Sequence, residues 1–150
     1  PLVWLQQKIH EIRGYTDRTI MIRPHPGAYK PTDFLQFRTR HYQTHLNVHV
    51  FDPVTTRLTD NLQRAHAAVF FNSSASVAAA CAGIPIFVDD ISCVSWAVAN
   101  KDIDQIESPQ SFDRSQWIND LAAAHWSDAD GRSGAIWQKF LPYLTSTTTS

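Results

Sequence analysis

The sequence predicts an α/β fold in three layers, with a parallel sheet of four to five strands and two further helices at its C-terminal end. Three observations carry this reading. Four short apolar or β-branched runs, 19–23, 47–51, 67–71 and 85–88, are separated by stretches with helical periodicity. Two of the runs, Ala67-Ala-Val-Phe-Phe71 and Pro85-Ile-Phe-Val88, are apolar throughout, which suits strands buried on both faces of a parallel sheet. Each run is closed by residues that punctuate a chain, among them Pro24, Pro53 and Gly27. The 150 residues are 43% hydrophobic and 18% charged, a globular composition sufficient for one domain and its core.

Taken in order, Leu2, Val3, Leu5, Ile9 and Ile12 recur near helical spacing, and Gly14 ends that helix. Thr19-Ile-Met-Ile-Arg23 is a strand stopped by Pro24-His25-Pro26-Gly27. Thr32 or Asp33 can cap a second helix through about His45. Asn47-Val-His-Val-Phe51 alternates as a second strand, closed by Asp52-Pro53, and Leu58, Leu62 and Ala65 mark a third helix. The strand at 67–71 leads into a helix from Ser76 to Ala82 with Gly83 as its stop, and the strand at 85–88 ends in Asp89-Asp90. Strands alternating with helices make parallel βαβ units, and the expected architecture is a Rossmann-like three-layer sandwich over 1–144.

The C-terminal part reads differently. Asp113-Arg-Ser-Gln116 has the form of a capping box, with Asp in place of Ser or Thr. Trp117, Leu121, Ala124 and Trp126, then Ile136, Trp137, Phe140 and Leu141 after Gly131, describe two amphipathic helices holding three of the five Trp residues. Aromatics at this spacing serve as core or docking surface. Residues 145–150 read as a frayed polar tail. The chain opens on Pro1, which implies a trimmed start or a piece of something longer.

Thirteen basic against 14 acidic side chains leave a net charge of -1, which argues against duplex nucleic acid or an anionic membrane as the main partner. Arg38, Arg40 and Arg57 are scattered and form no basic patch. No apolar run approaches a membrane span, and no secretory signal opens the chain. Two cysteines, Cys81 and Cys93, cannot build a disulfide framework and read as small buried residues, which fits a reducing cytoplasm. His41, His45 and His49 recur every four residues, but no Cys or carboxylate completes a zinc set, so no metal is expected.

The chemistry concentrates where strands end, the edge at which open α/β sheets bind ligands. Asn72-Ser73-Ser74-Ala75-Ser76 lies between a strand and a helix, where unpaired backbone N–H groups and the helix dipole favour a phosphate. Plain helix capping explains one of these side chains; three serines with an asparagine exceed that need. In Arg23-Pro24-His25-Pro26 two prolines fix the backbone around His25, which can hydrogen-bond a phosphate or ribose oxygen or protonate a leaving phosphate. Arg23 can contact phosphate bidentately. Asp52 ends the second strand, and Asp89 and Asp90 after the fourth can bind ribose hydroxyls or serve as solvent-facing caps.

A His-Pro pair after one strand and a Ser-Ser pair opening a later helix resemble the motifs of GT-B-type glycosyltransferases, above all bacterial sialyltransferases and capsule Kdo transferases. The stretch from Phe71 to Pro85 is similar to their Ser-Ser…Ala…Gly-x-Pro segment, and Asp113 to Trp126 resembles the end of predicted phage and bacterial glycosyltransferases. The resemblance spans Ile20 to Trp137. It implies the donor-binding, C-terminal half of such an enzyme, with Arg23, His25, Asn72, Ser73, Ser74, Ser76, Asp52 and Asp89 around a nucleotide sugar and His25 as candidate catalytic residue. It implies no metal or other cofactor, since Asp128-Ala-Asp130 has Asp-x-Asp spacing but lies on the tail helices. The chain is too short for a second such domain, so the resemblance leaves the acceptor domain and the catalytic base to a missing N-terminal domain or a second copy, and the isolated chain inactive in transfer. A non-catalytic nucleotide- or sugar-binding module and a nucleotide-sugar 2-epimerase are the alternatives.

Overall fold

Helix α1 (Leu2–Arg13) turns Ile9 and Ile12 into the core. Its last residue anchors the chain that follows. Arg13 donates to the carbonyls of Thr16 (2.5 Å), Arg18 (2.9 Å) and Leu46 (2.7 Å), so the end of α1 is tied to the segments entering the first two strands. In the computed structural model, which describes residues 2–145, four strands follow: β1 (Ile20–Ile22), β2 (Val48–Val50), β3 (Ala68–Phe70) and β4 (Ile86–Val88). All four fall inside the expected runs.

The sheet does not form as expected. β1 pairs in parallel with β2, Ile20 opposite Val48, and β3 pairs in parallel with β4, Ala68 opposite Ile86, as two separate two-stranded sheets. This overturns the Rossmann-like sandwich with a sheet of four to five strands. The reason lies in the ladders. Each strand has only three residues, and prolines 24, 53 and 85 stand close to strand ends without an N–H to extend the pairing. β4 gains one further bridge on its other edge, Phe87 to Asn100, through Asn100 N–H to the Ile86 carbonyl (2.8 Å) and Val88 N–H to the Asn100 carbonyl (3.2 Å).

Side chains join what hydrogen bonds do not. Ile12, Phe87, Ile103 and Ile106 form a buried cluster against which Ile20, Ala67 and Val69 also pack, so residues of α1, β1, β3 and β4 share one apolar centre. A second cluster of Ile9, Ile22, Phe37 and Val48 lies under the first strand pair. The expected helix from Thr32 to His45 is instead a 3-10 helix (Pro31–Arg38) and a π turn (His41–His45), broken by extended Thr39. Phe34 and Phe37 explain the tight helix: a three-residue spacing places both rings on one side of a 3-10 helix, with centroids 6.1 Å apart.

Helix α2 (Leu58–Leu62) and helix α3 (Ala75–Cys81) complete the first part. Gly83 follows α3 with φ +79°, a left-handed conformation that only glycine adopts without strain. Arg114 donates to the carbonyls of Ala80 (2.5 Å) and Ile84 (2.9 Å), closing the C-terminal end of that helix. Cys93 is buried as expected, whereas Cys81 is exposed, because α3 turns Ser76, Ala79 and Ala80 inward.

The chain divides between Arg114 and Ser115 into two compact units. The second has three helices, α4 (Ser115–Ala124), α5 (Asp128–Ser133) and α6 (Ala135–Thr145), where two were expected. The capping box sits at Ser127 and Asp130, whose side chains and backbones bond reciprocally. Within α4, Gln116 Nε2 donates to Asp120 (2.8 Å). Gly134, with φ +78°, separates α5 from α6. Trp137 and Leu141 are exposed, and Lys139 stands 5.0 Å from the Trp126 ring centroid. Of the expected polar tail, Thr145 ends α6 and residues 146–150 lie outside the described residues. Among the described residues no helix is long and apolar enough to cross a membrane.

Candidate functional site

Because β3 and β4 are parallel and in register, Phe70 opposite Val88, both strands deliver the chain to the same edge at the same level. Phe71-Asn72-Ser73-Ser74 therefore lies beside Asp89-Asp90-Ile91-Ser92. Backbone bonds hold the two turns together, Asp89 N–H to the Phe70 carbonyl (3.2 Å) and Asp90 N–H to the Phe71 carbonyl (3.3 Å). Side chains continue the link. Asn72 donates to the Ser92 hydroxyl (2.6 Å), and that hydroxyl donates to Asp90 Oδ1 (2.7 Å), which also accepts the Ser92 N–H (2.8 Å).

The N–H and hydroxyl of Ser92 hold the Asp90 carboxyl below its ordinary pKa, with Asn72 adding to the effect. A carboxyl depressed in the folded state adds stability above the unfolded value of about 3.9 and loses it as pH falls through the folded value. Wild type is therefore expected to melt above Asp90→Asn near neutral pH, and the gap in Tm should narrow as pH falls below the unfolded value of about 3.9. A gap that stays constant from about pH 7 to about pH 2.5 would show that the charge on Asp90 contributes nothing.

Helix α1 supplies the rest of this edge. Trp4 Nε1 donates to Asp89 Oδ2 (2.7 Å), and Lys8 pairs with the same oxygen at 2.9 Å and with Glu11 at 2.6 Å. Burial alone would pull the Lys8 pKa down; hydrogen bonds and the charges of Glu11 and Asp89 outweigh it, and the pKa rises. The Trp4 ring meets Phe71 edge to face, centroids 5.8 Å apart, and Phe71 stays half exposed. None of Trp4, Lys8 and Ser92 was singled out in the sequence. Trp4, Lys8 and Glu11 do share one helical face, the signal that could have found two of them.

The serines divide. Ser76 is fully buried, donating to the Ser95 hydroxyl (2.9 Å) with Cys93 Sγ at 3.4 Å, so its hydroxyl belongs to the core. Ser73 accepts the N–H of Ala75 at 3.3 Å, and its carbonyl accepts the N–H of Ser76. Ser74 precedes α3 with helical dihedrals, makes no side-chain cap and is exposed. Two hydroxyls, not three, face outward at this turn.

Arg23, His25 and Asp52 sit at the carboxyl ends of β1 and β2. Arg23 Nη1 donates to Thr56 Oγ1 (2.9 Å) and Asn61 Oδ1 (2.7 Å), and Nη2 to the carbonyls of Thr56 (2.9 Å) and Pro53 (3.4 Å). Its guanidinium is a clamp on the chain after β2. Asp52 Oδ1 accepts the Val54 N–H (2.9 Å), a turn-forming role. His25 Nδ1 accepts the Gly27 N–H (3.1 Å), which puts the proton of the neutral ring on Nε2, on an exposed residue. Among the described residues no hydrogen bond or ion pair links this group to the Asn72–Asp90 group. Elsewhere, the His41 and His45 rings stack, centroids 5.4 Å apart, while His49 is exposed on β2.

No protein-family model, no curated protein and no solved structure matches the chain.

Proposed function

We propose that the chain binds a nucleotide-activated sugar at the carboxyl edge of β3 and β4, as the donor-binding part of a glycosyltransferase. The observation that carries this reading is the meeting of the turn Asn72–Ser74 with Asp89–Ser92 at one level beside the exposed ring of Phe71. The resemblance of the His-Pro and Ser-Ser segments to GT-B donor motifs supports it.

The chemistry divides by charge. Ser73 and Ser74 take the phosphate oxygens through their hydroxyls, since the N–H groups of Ala75, Ser76 and Val77 that open α3 are already taken up by Ser73 Oγ and the carbonyls of Ser73 and Ser74. Asp89 and Asp90 repel an anion placed on them, so they address sugar hydroxyls; Oδ2 of Asp90 accepts from a diol while Ser92 holds Oδ1. Phe71 carries the apolar face of the base or sugar. His25, with a donor at Nε2, is the residue for hydrogen-bonding a phosphate oxygen; to protonate a leaving phosphate it must first take up a proton at Nδ1 and release the Gly27 N–H. Arg23 is spent on the Thr56 and Asn61 clamp and receives no phosphate here. The base that activates the acceptor comes from an acceptor domain or a second copy. The setting is cytoplasmic, in keeping with two unpaired cysteines. No metal is assigned to the transfer.

A non-catalytic binding module is the second reading, favoured by Asp89 being held by Trp4 and Lys8, which leaves it no freedom as a base. The experiment is a thermal-shift screen of CMP, UDP, GDP and their sugars, on wild type and on Ser74→Asp. A ligand at 100 times its Kd stabilises by about 2.7 kcal/mol. The expected result is a shift for one nucleotide class that Ser74→Asp abolishes while its own unliganded melting temperature is kept, Asp being favourable in a helix's first turn. Undiminished binding by Ser74→Asp would sink the phosphate assignment. Turnover of the donor by the isolated chain would separate enzyme from binding module.

A further inference from the structure

At the edge of β3 and β4, Asp89 and Asp90 are joined by a third carboxylate, Glu11 of α1, and only one cation is bonded among them. Lys8 pairs with Glu11 (2.6 Å) and with Asp89 (2.9 Å), and its side chain is 12% exposed, so its charge is already enclosed by two acids. Among the described residues no other cation pairs with Asp89 or Asp90. Resting on the donor reading above, we infer that the sugar taken at this edge is neutral and bears no carboxylate.

The groups on the β4 side suit hydroxyls. Asp90 Oδ1 accepts both the N–H (2.8 Å) and the hydroxyl (2.7 Å) of Ser92, which fixes the carboxylate and leaves Oδ2 as the acceptor for a ligand. Beside it stands the half-exposed ring of Phe71, braced edge to face by Trp4 with centroids 5.8 Å apart. An apolar ring next to a fixed acceptor matches a pyranose, whose C–H face lies on the ring while its hydroxyls donate from the rim.

The same groups work against an acidic sugar. Ser92 holds the Asp90 pKa below its ordinary value, so Asp90 is ionised throughout the neutral range. A ligand carboxylate in the same place meets like charge and finds no free ammonium, Lys8 being held by two carboxylates. Two like charges 4 Å apart in bulk water weaken affinity by about fivefold, and by more where ring and protein displace water. The phosphates of a donor feel these acids too, but that repulsion is common to all sugars on one nucleotide and cancels when two are compared. Sialic acid and Kdo each carry a carboxylate; the donor of this chain belongs to a different class of sugar.

The experiment is a titration read by the NMR signals of the Trp4 indole N–H and the Asn72 side-chain amide. The probes share a nucleotide within each pair: UDP-glucose with UDP-glucuronate, GDP-mannose with GDP-mannuronate, and CMP with CMP-N-acetylneuraminate. For the nucleotide that binds, the acidic sugar is expected to bind at least about fivefold more weakly than its neutral partner, and in the CMP pair no more tightly than CMP itself. The difference should shrink in about 1 M NaCl, where the Debye length falls to about 3 Å. It should shrink likewise in Asp90→Asn, which keeps the side chain's shape and removes its charge; the salt measurement, made on wild type, serves if that variant fails to fold. Equal or tighter binding of the acidic sugar, a difference that salt leaves unchanged, or one that a folded Asp90→Asn keeps in full would each overturn the neutral-sugar assignment while the donor reading stands. Failure of every bare nucleotide and nucleotide sugar to bind would remove the donor reading, and the neutral-sugar assignment with it.

Discussion

Replacing Phe87 by alanine is expected to cost about 3–5 kcal/mol, the range for removing a buried aromatic ring. Phe87 is 1% exposed, sits opposite Val69 in the β3–β4 pair and bridges Asn100 on its other edge. Its ring belongs to the cluster of Ile12, Ile103 and Ile106 against which Ile20, Ala67 and Val69 also pack. In a continuous sheet, ladder hydrogen bonds would hold the two strand pairs together whatever happened to one ring. Here the two pairs share no ladder, so apolar contact around Phe87 is the joint between them. A domain has only about 5–15 kcal/mol in total, and the variant therefore stands near the edge of folding. Urea unfolding followed by circular dichroism should show a much lower midpoint with the slope little changed. A loss below about 1 kcal/mol would mean that the first unit is joined by something other than this cluster.

The same joint marks where reading the sequence stopped short. Ile20-Met-Ile22, Val48-His-Val50, Ala68-Val-Phe70 and Ile86-Phe-Val88 are strands within the runs that periodicity and β-branching select. Which strands pair is not written in those runs: continuous apolar character reports burial on both faces and says nothing of the neighbour. The Phe34–Phe37 spacing of three was available as a sign of a 3-10 helix, but the surrounding pattern fitted an α-helix as well. In the candidate site, Asn72, Asp89 and Asp90 meet because parallel strands in register end together, which the order of segments foretells. Trp4 and Lys8 reach Asp89 across more than 80 residues of sequence, and nothing local announces such a contact. Ser76 is of the same type as Ser73 and Ser74, yet as the second residue of α3 it points into the core beside Ser95 and Cys93. Arg23 looked like a phosphate ligand for the same reason: a guanidinium at a strand end has the same donors whether they meet a phosphate or the protein's own oxygens.

That ambiguity yields a direct prediction. Arg23→Met is expected to destabilise the protein by about 2–4 kcal/mol, because bonds to a charged donor are strong and their loss strands partly buried acceptors. The acceptors are Asn61 Oδ1, Thr56 Oγ1 and the Thr56 and Pro53 carbonyls, 30 to 38 residues from Arg23 in sequence. Among the described residues no other side chain donates to them, and α2 has only five residues with which to hold its own place. The 53–62 segment should open first, so its amides should exchange with solvent faster than those of β1 and β2. Arg23→Lys keeps the charge but replaces a planar fork with a single point of donation, and recovers only part of the loss. If Arg23 were instead a phosphate ligand, its removal would relieve a concentrated positive charge, leaving the melting temperature unchanged or higher and lowering nucleotide affinity alone. Hydrogen exchange and melting of both variants, each with and without nucleotide, distinguish the two outcomes. A stable Arg23→Met with unaltered exchange over 53–62 would refute the clamp and return Arg23 to the ligand side of the site.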